Sequence, residues 1–257
     1  MNGLQGKRIV VAGGGNGIGR ATAERLALEG ALVTVGDINL AAAESTATAI
    51  VRAGGVAHAV RFDLGDELSI QALVDAAVDQ FGGVDGLYNV GADASEAVLG
   101  RDGDLLEMDV SVWRRTFEVN LTGYALTARA VLPLFIEQGG GVIVNTSSLA
   151  AHVGDTRRAA YQSSKAGINA LTRHIAARWG RDGVRSNAVS PGVVLTESSE
   201  KMALNEEAMA YVLQTIPSTR LGKPDDLAGV VSFLFSDDAE WINGQVWSIN
   251  GGGMLRE

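Results

Sequence analysis

Short apolar runs that alternate with longer helical segments constrain the fold of this 257-residue chain more than any other feature. Helical segments such as 17–30, 39–55 and 67–83 carry glycine after their last turn, where it can cap a helix. Continuous apolar runs of this length are typical of parallel strands buried on both faces. We therefore predict a single α/β domain over 1–257, with a doubly wound sheet of about seven parallel strands and helices on both faces. The strand candidates are RIVVAG (8–13), LVTVGD (32–37), AHAVRFD (57–63), DGLYNV (85–90), GVIVNTSS (141–148), VRSNAVS (184–190) and QVWSIN (245–250).

Composition and charge narrow the classes of partner. Hydrophobic residues make up 46% of the chain and charged residues 20%, as in ordinary globular proteins. The 21 basic and 30 acidic residues give a net charge of −9, so we expect neither nucleic acid nor a membrane as a partner. The absence of cysteine excludes disulfides and thiolate chemistry. The start lacks the apolar stretch of a secretory signal, and no run approaches the length of a membrane span. We therefore expect a cytoplasmic protein.

Two segments are less regular than the rest, and both follow strand candidates. They are residues 91–109 and 191–225. Ligands of open α/β sheets bind beyond the carboxyl ends of the strands, so both segments lie where a substrate could be held. The second predicts a substrate lid around 192–222. Its apolar residues are Met202, Leu204, Met209, Tyr211 and Leu213.

A glycine-rich loop, VVAGGGNGIGRA, joins the first strand candidate to the first helix and contains Gly13, Gly17 and Gly19. A tight turn and a close approach to a phosphate both favour residues without side chains. The helix that follows offers free N–H groups and the positive end of its dipole to a pyrophosphate. The loop, which includes Asn16 and Ile18, therefore predicts a dinucleotide site of the Rossmann type.

Asp37 ends the second strand candidate, roughly twenty residues after the loop. Its carboxylate can accept hydrogen bonds from the hydroxyls of an adenosine ribose, and it would repel a 2′-phosphate. The loop offers only Asn16 and Arg20 as phosphate partners, so we expect NAD rather than NADP. Asp37 taken alone could equally cap the following helix. A methyltransferase could use the same loop and acid, so these residues establish only an adenosine ligand.

Tyr161 and Lys165 lie four residues apart in a helical segment, AAYQSSKAG, and so share one face with Cβ atoms about 5–6 Å apart. A free phenol has a pKa of about 10. A cation about 4 Å away favours the phenolate by roughly 4 kcal/mol at an effective dielectric of about 20. Before desolvation is subtracted, that lowers the pKa by up to about three units, so we expect a usable acid and base.

Taken together, the motifs resemble those of the short-chain dehydrogenase/reductase family over essentially the whole chain. The motifs are Gly13-x3-Gly17-x-Gly19, a strand-ending Ser148 thirteen residues before Tyr161-x3-Lys165, and PGVVLT after the sixth strand. The resemblance implies that Tyr161 exchanges the hydroxyl proton of the substrate. It also implies that Lys165 lowers the pKa of Tyr161 and holds the nicotinamide ribose, and that Ser148 orients the carbonyl.

Further positions take their expected roles from the same resemblance. Asn120, in FEVNLTG, would hold a water that feeds the proton relay, although a polar residue there could also stabilise a helix irregularity. Val194 and Thr196 would fix the carboxamide, Asp63 would contact the adenine, and Asn89 would begin the stretch that passes the adenine ribose. The full set of expected cofactor contacts is Gly13, Asn16, Gly17, Ile18, Gly19, Asp37, Asp63, Leu64, Asn89, Tyr161, Lys165, Pro191, Gly192, Val194 and Thr196.

The chain departs from the family pattern at two places. Ala12 replaces the usual threonine, and residues 89–92 read NVGA rather than Asn-Asn-Ala-Gly, so hydroxyl and amide bonds in the central sheet are lost. The resemblance further implies a homotetramer, paired through the helices around 109–137 and 159–180 and through the WSINGG end. No metal is expected, because the three histidines are isolated from one another and from carboxylate clusters. They are His58, His152 and His174.

The sequence therefore predicts an NAD(H)-dependent oxidoreductase that moves hydride between the nicotinamide and a secondary alcohol or ketone. The alternative within the same chemistry is an NADPH-dependent 3-oxoacyl thioester reductase, which Asp37 and the lack of a basic residue at position 16 disfavour. The alternative from another class is a non-catalytic nucleotide-sensing protein. Such a protein would have lost Ser148, Tyr161 or Lys165, and all three are present.

Overall fold

A seven-stranded, fully parallel sheet with strand order β3-β2-β1-β4-β5-β6-β7 forms the centre of the molecule in a computed structural model that describes residues 1–196 and 213–255. The strands are β1 (Arg8–Ala12), β2 (Leu32–Asp37), β3 (Val56–Arg61), β4 (Gly86–Asn89), β5 (Gly141–Thr146), β6 (Val184–Pro191) and β7 (Val246–Ile249). Each strand coincides with a predicted apolar run, so the predicted parallel, doubly wound sheet is confirmed.

Helices cover both faces of the sheet. They are α1 (Gly17–Leu28), α2 (Leu40–Arg52), α3 (Glu67–Phe81), α4 (Val110–Phe117), α5 (Gly123–Gln138), α6 (Ala159–Trp179) and α7 (Pro224–Phe235). A π-helical turn, Glu118–Thr122, joins α4 to α5. The core on one face is closed by α1, α2 and α7, and the core on the other face by α3, α5 and α6.

The alternation of side chains along β1 shows why both faces are apolar. Ile9 and Val11 belong to the core beneath α1 and α7, whereas Val10 and Ala12 belong to the core beneath α3 and α5. Successive side chains of a strand point to opposite faces, so a continuous apolar run serves both cores. Local signals then end the helices, as at Gly82, which caps α3 with a left-handed φ of 79°.

The stretch Val110–Gln138 is the one helix in the described part of the chain that is long and apolar enough to cross a membrane. The expectation that no run approaches this length is therefore wrong. Half of its most apolar window is buried inside the protein, as in the core helix of a globular domain. Tyr124, Val131 and Phe135 of α5 pack within the core against the sheet.

The strand order reverses between β1 and β4, which are neighbours in the sheet but not in sequence. The chain leaves these two strands toward opposite faces, so a crevice opens beyond their carboxyl ends. The predicted lid around 192–222 begins at this crevice, where Gly192, Val194 and Thr196 line it, and its residues 197–212 fall outside the described part of the chain. That interval includes Met202, Leu204, Met209 and Tyr211.

Candidate active site

One cavity of about 860 Å³ occupies the crevice beyond the carboxyl ends of the strands. Three carboxylates and the glycine loop line one end, and Ser148, Tyr161 and Lys165 line the other. The predicted site residues that line it are Gly13, Asn16, Gly17, Ile18, Gly19, Asp37, Asp63, Leu64, Ser148, Tyr161, Lys165, Pro191, Gly192, Val194 and Thr196. Asn89 and Asn120 are not among its lining residues.

The glycine loop is built so that side chains are excluded from it. Gly13 has a φ of 106°, and a Cβ added there would lie 2.5 Å from the backbone nitrogen of Gly91. A Cβ on Gly19 would collide with the carbonyl oxygen of Gly13. Since α1 begins at Gly17, the N–H groups of its first turn have no helical carbonyl as partner, and they face the cavity.

Asp37 stands at the end of β2, and backbone groups on both sides hold its carboxylate. Oδ2 accepts the N–H of Gly15 at 2.9 Å, and Oδ1 accepts the N–H of Asn39 at 3.0 Å. The N-cap of α2 is Asn39, whose side chain accepts from Ala42, so Asp37 does not cap that helix. This leaves Asp37 as an oriented carboxylate on the cavity wall.

The nicotinamide end of the expected site begins where β6 ends. Gly192 donates its N–H to Ile249 at 3.0 Å, which ties this segment to β7. Val194 pairs with Gly222 in an isolated parallel bridge. A Cβ on Gly17 would lie 3.2 Å from the methyl group of Thr196, so Thr196 packs directly across from the glycine loop.

The structure gives Asn89 an interior position rather than a place on the cavity wall. Its amide donates to Asn145 at 3.0 Å and accepts from the hydroxyl of Thr127 at 2.8 Å. Asn145 in turn donates to Thr172 of α6 at 3.0 Å. This buried chain of polar groups links α5, β4, β5 and α6. The cavity wall starts one residue later, at Val90.

The departures from the family pattern fall where main-chain bonds hold the sheet. The carbonyl of Ala12 accepts the N–H groups of Val90 at 3.1 Å and Gly91 at 2.9 Å. Gly91 also accepts the hydroxyl of Tyr124 at 3.0 Å through its carbonyl. Backbone and tyrosine bonds thus fix the 89–92 segment without the threonine and second asparagine.

Ser148, Tyr161 and Lys165 converge from two elements. Ser148 follows β5, and its hydroxyl accepts the N–H of Ala150 at 3.1 Å and lies close to the phenol of Tyr161. Lys165 lies one helical turn after Tyr161 and is 2% exposed. Its Nζ donates to the carbonyl of Thr146 at 2.8 Å and lies 5.7 Å from the centre of the Tyr161 ring.

Burial dominates the electrostatics of this pair. It raises the pKa of Tyr161, and the hydrogen bond from Ser148 and the positive charge of Arg158 offset only part of that effect. Burial also lowers the pKa of Lys165 to about 7. The expectation that Lys165 brings the pKa of Tyr161 below its ordinary value is therefore wrong for this structure. The ammonium bonds to a backbone carbonyl and is partly neutral near pH 7, whereas the phenol loses its hydration.

Asn120 lies in the π-helical turn Glu118–Thr122, fully buried behind the cavity. Its side-chain oxygen accepts the N–H of Asp93 at 3.2 Å, and its amide nitrogen is 3.5 Å from the hydroxyl of Ser164. π-Helical turns inside longer helices often mark functional positions. Asn120 therefore ties the irregular turn to Asp93 on one side and to Ser164 of α6 on the other.

Asp102 was not singled out by any pattern in the sequence, yet it anchors α6. Its carboxylate accepts the N–H of Ala160 at 3.1 Å and of Tyr161 at 2.8 Å, and it is 4% exposed. Arg158, just before the helix, has a left-handed φ of 64° and donates its N–H to the carbonyl of Asp102 at 3.1 Å. Strain of this kind is tolerated where the surroundings fix the backbone.

Arg115 is a second residue that the sequence reasoning missed, and it lines the cavity. It reaches from α4 to the cavity, where it contacts Asp93 at 3.4 Å and Glu118 at 3.2 Å and lies 3.9 Å from Asp63. No sequence motif marks it, since its partners Asp63 and Asp93 come from separate loops. Within 1–196 and 213–255, no group of three or more histidines or acidic residues could hold a metal ion.

The comparisons with known proteins agree with this geometry. The family model described as "Enoyl-(Acyl carrier protein) reductase" matches residues 12–253. A probable short-chain type dehydrogenase/reductase of Bradyrhizobium diazoefficiens is 41% identical over 98% of this chain and 89% of the relative. The cis-4-hydroxycyclohexanecarboxylate dehydrogenase of Sinomonas cyclohexanicum is 37% identical over 95% of this chain and 94% of the relative.

A solved structure is similar over nearly the same length. It is a 7α-hydroxysteroid dehydrogenase in complex with NADH and 7-oxo glycochenodeoxycholic acid, with a TM-score of 0.91 and 34% identity over 98% of this chain and 96% of that chain. The chain therefore belongs to the short-chain dehydrogenase/reductase family and is an oxidoreductase of that type. The family resemblance predicted from the motifs is confirmed.

Proposed function

We propose that this protein is an NAD(H)-dependent oxidoreductase that transfers hydride between the nicotinamide and a secondary alcohol or ketone. The observation that carries the proposal is that one cavity joins the glycine loop and Asp37 at one end to Ser148, Tyr161 and Lys165 at the other. A sensor protein would need the first group only. The second group has no role in binding an adenosine and is suited to proton transfer.

The residues at the first end fit a dinucleotide. The space beside Gly13 and Gly19 is closed to a Cβ, which leaves backbone N–H groups facing the cavity for a pyrophosphate. Asp37 carries two oxygens that are already oriented by backbone donors and retain further lone pairs for ribose hydroxyls. A carboxylate held in this way opposes a 2′-phosphate, which supports NAD over NADP.

When bound, NAD(H) supplies or accepts the hydride. In the reductive direction Tyr161 donates its phenolic proton to the oxygen of the ketone, and burial keeps that proton on the phenol at neutral pH. In the oxidative direction the Tyr161 phenolate takes the hydroxyl proton of the alcohol. Ser148 would hydrogen bond to the same oxygen and orient it, while Lys165, which lines the cavity, would hold a ribose hydroxyl of the cofactor.

The raised pKa of Tyr161 predicts how the rates of reduction and oxidation depend on pH. Reduction needs the protonated phenol, so its rate should stay level from about pH 6 to 9. Oxidation needs the phenolate, so its rate should rise with pH across the same range. Opposite pH profiles for the two directions are the expected result.

The first substrates to test are ring alcohols and ring ketones. Two similar proteins are named for a hydroxycyclohexane carboxylate and for a hydroxysteroid, and both names denote a secondary alcohol on a ring. Oxidation of a panel of cyclic and acyclic secondary alcohols with NAD, followed by absorbance of the reduced cofactor, tests the proposal. Binding of NADH without turnover of any alcohol or ketone in the panel would favour the sensor alternative.

The same absorbance assay distinguishes the proposed function from the alternative of an NADPH-dependent 3-oxoacyl thioester reductase. Initial rates with NADH and NADPH on a 3-oxoacyl thioester and on a cyclic ketone should favour NADH with either substrate, because Asp37 faces the adenosine end of the cavity. A strong preference for NADPH would overturn the cofactor assignment.

We further propose a homotetramer that pairs the helices around 109–137 (α4 and α5) and 159–180 (α6) with their copies. Leu106 is 98% exposed and lines a surface hollow together with Trp113 and Ala159, where α4 and α6 begin. Exposed apolar groups beside a hollow are typical of interfaces. Light scattering after size-exclusion chromatography should give four times the mass of the chain, and a monomeric mass would refute this part.

A further inference from the structure

The adenosine end of the cavity is lined by members of an ion-pair cluster that no sequence motif marks, and the inference drawn from it rests on the proposed NAD site. Arg115 of α4 contacts three carboxylates: Asp63 after β3, Asp93 after β4, and Glu118 in the π-helical turn. We infer that Arg115 is a positioning residue that latches the two loops bearing Asp63 and Asp93 around the adenosine half of the dinucleotide.

The sheet itself does not connect the two loops. In the strand order β3-β2-β1-β4, the strands that carry them are separated by two others, so no ladder hydrogen bond joins their ends. Arg115 spans this gap, with Nη2 lying 3.9 Å from Asp63 Oδ1 and Nε donating to Asp93 Oδ2 at 3.4 Å. Its guanidinium also packs against Gly65, where an added Cβ would collide with Nη1.

The carboxylates of Asp63 and Asp93 are already oriented by their own loops, so Arg115 meets two fixed partners. Asp63 Oδ1 accepts the N–H of Gly65 at 2.8 Å. Asp93 Oδ1 accepts the N–H and hydroxyl of Ser95 at 3.2 and 2.6 Å, which leaves Oδ2 for the guanidinium. The planar fork of arginine can serve such diverging acceptors at once, whereas a lysine ammonium is a single point charge.

Arg115 also offsets the negative charge of the carboxylates at the adenosine end of the cavity. Among the described lining residues the acids are Asp37, Asp63 and Asp93, and the bases are Arg115 and Lys165. Lys165 lies at the Tyr161 end, so Arg115 is the cation that faces the adenosine end within this set. Without it, three carboxylates would surround a ligand that carries a pyrophosphate, and both loops would lose their shared partner.

Arg115→Ala should therefore weaken binding of NADH and of ADP-ribose, measured by titration calorimetry, about three- to tenfold, as expected for two partly exposed ion pairs. Nicotinamide mononucleotide, which lacks the adenosine, should bind as in the wild type. The KM for NADH should rise with an unchanged kcat, which separates a cofactor-positioning role from general loss of structure. Arg115→Lys should recover only part of the affinity.

Arg114→Ala is the matched control, since this neighbouring arginine is exposed and does not line the cavity. Its affinities should stay within about twofold of the wild type. Asp93→Asn tests the same contact if Arg115→Ala folds poorly. The double variant that combines Arg115→Ala with Asp93→Asn should bind NADH no more weakly than Arg115→Ala alone, because both changes break the same contact.

Two outcomes would overturn the latch: NADH affinity of Arg115→Ala within twofold of the wild type, or equal weakening of the nicotinamide and adenosine fragments. A wild-type protein that binds neither NADH nor NADPH would instead overturn the proposed function. The two failures are therefore distinguishable in one titration series.

Discussion

The burial of Lys165 makes a quantitative prediction about stability. The side chain is 2% exposed, and burial lowers its pKa from 10.5 to about 7. The folded protein therefore releases this proton near pH 7, whereas the unfolded chain holds it until about pH 10.5. Between these values the unfolded state binds more protons, so the free energy of unfolding should rise with pH across that window.

The size of the effect follows from the difference between the two pKa values. At 1.36 kcal/mol per unit, the full cost of charging the buried lysine is roughly 5 kcal/mol, and about 2 to 3 kcal/mol of it should be relieved between pH 6 and pH 9. Lys165→Met removes the titration while keeping the volume. The variant should lose the hydrogen bond to Thr146, but that loss is the same at every pH.

Urea unfolding of the wild type and of Lys165→Met at pH 6, 7.5 and 9, followed by circular dichroism, measures the difference. The wild type should gain about 2 to 3 kcal/mol relative to the variant over this range. Parallel stability curves for the two proteins would refute the reasoning, because they would show that Lys165 keeps an ordinary pKa in the folded state.

Three further substitutions test separate parts of the site. Gly19→Ala forces a Cβ against the carbonyl of Gly13, so it should cost about 1–3 kcal/mol of stability or abolish NADH binding; unchanged binding and melting temperature would contradict the packing of the loop. Asp102→Ala removes both acceptors at the start of α6, so it should lower the melting temperature and reduce kcat by misplacing Tyr161, while Asp102→Asn should be milder. Equal kcat values for the wild type, Asp102→Ala and Asp102→Asn would rule out a positioning role for Asp102. Asp37→Ala should narrow the preference for NADH over NADPH at least tenfold in initial rates, and an unaltered ratio would show that this carboxylate does not select the cofactor.

The sequence predicted the fold because each element carries a local signal of its own. The apolar runs that became β1 and β2 are continuous, and the helices end at glycines such as Gly82. The glycine loop and the Ser148, Tyr161 and Lys165 set could be found for the same reason. Their spacing is fixed by a turn, a strand end and a helical repeat, all of which are readable from the chain.

The residues that sequence reasoning missed act through tertiary contacts. Asp102 binds the backbone of Tyr161 from 59 positions away, and Arg115 meets Asp93 from 22 positions away. Both acids belong to the irregular segment 91–109, which has no period to interpret. The pKa of Tyr161 was predicted in the wrong direction because spacing gives the distance between two groups but not the hydration they lose.

The environment of the Asn89 side chain also depends on tertiary contacts that the sequence does not reveal. The family pattern identifies the position, but whether its amide faces the cofactor or the sheet depends on which polar groups lie nearby. In this protein Thr127 and Asn145 satisfy that amide in the interior. A buried polar side chain takes such partners because an unmade hydrogen bond in the core costs about 1–3 kcal/mol.

The most direct test of the central claim is a single-turnover measurement of hydride transfer from NADH to a cyclic ketone by Tyr161→Phe. Its matched control is Tyr124→Phe, a buried tyrosine beside Lys165 whose hydroxyl donates to Gly91. We expect Tyr161→Phe to bind NADH normally and to lose about 10²- to 10⁴-fold in rate. The control should stay within about tenfold of the wild type. Hydride transfer by Tyr161→Phe at the rate of the control would contradict the assignment of this phenol as the proton donor.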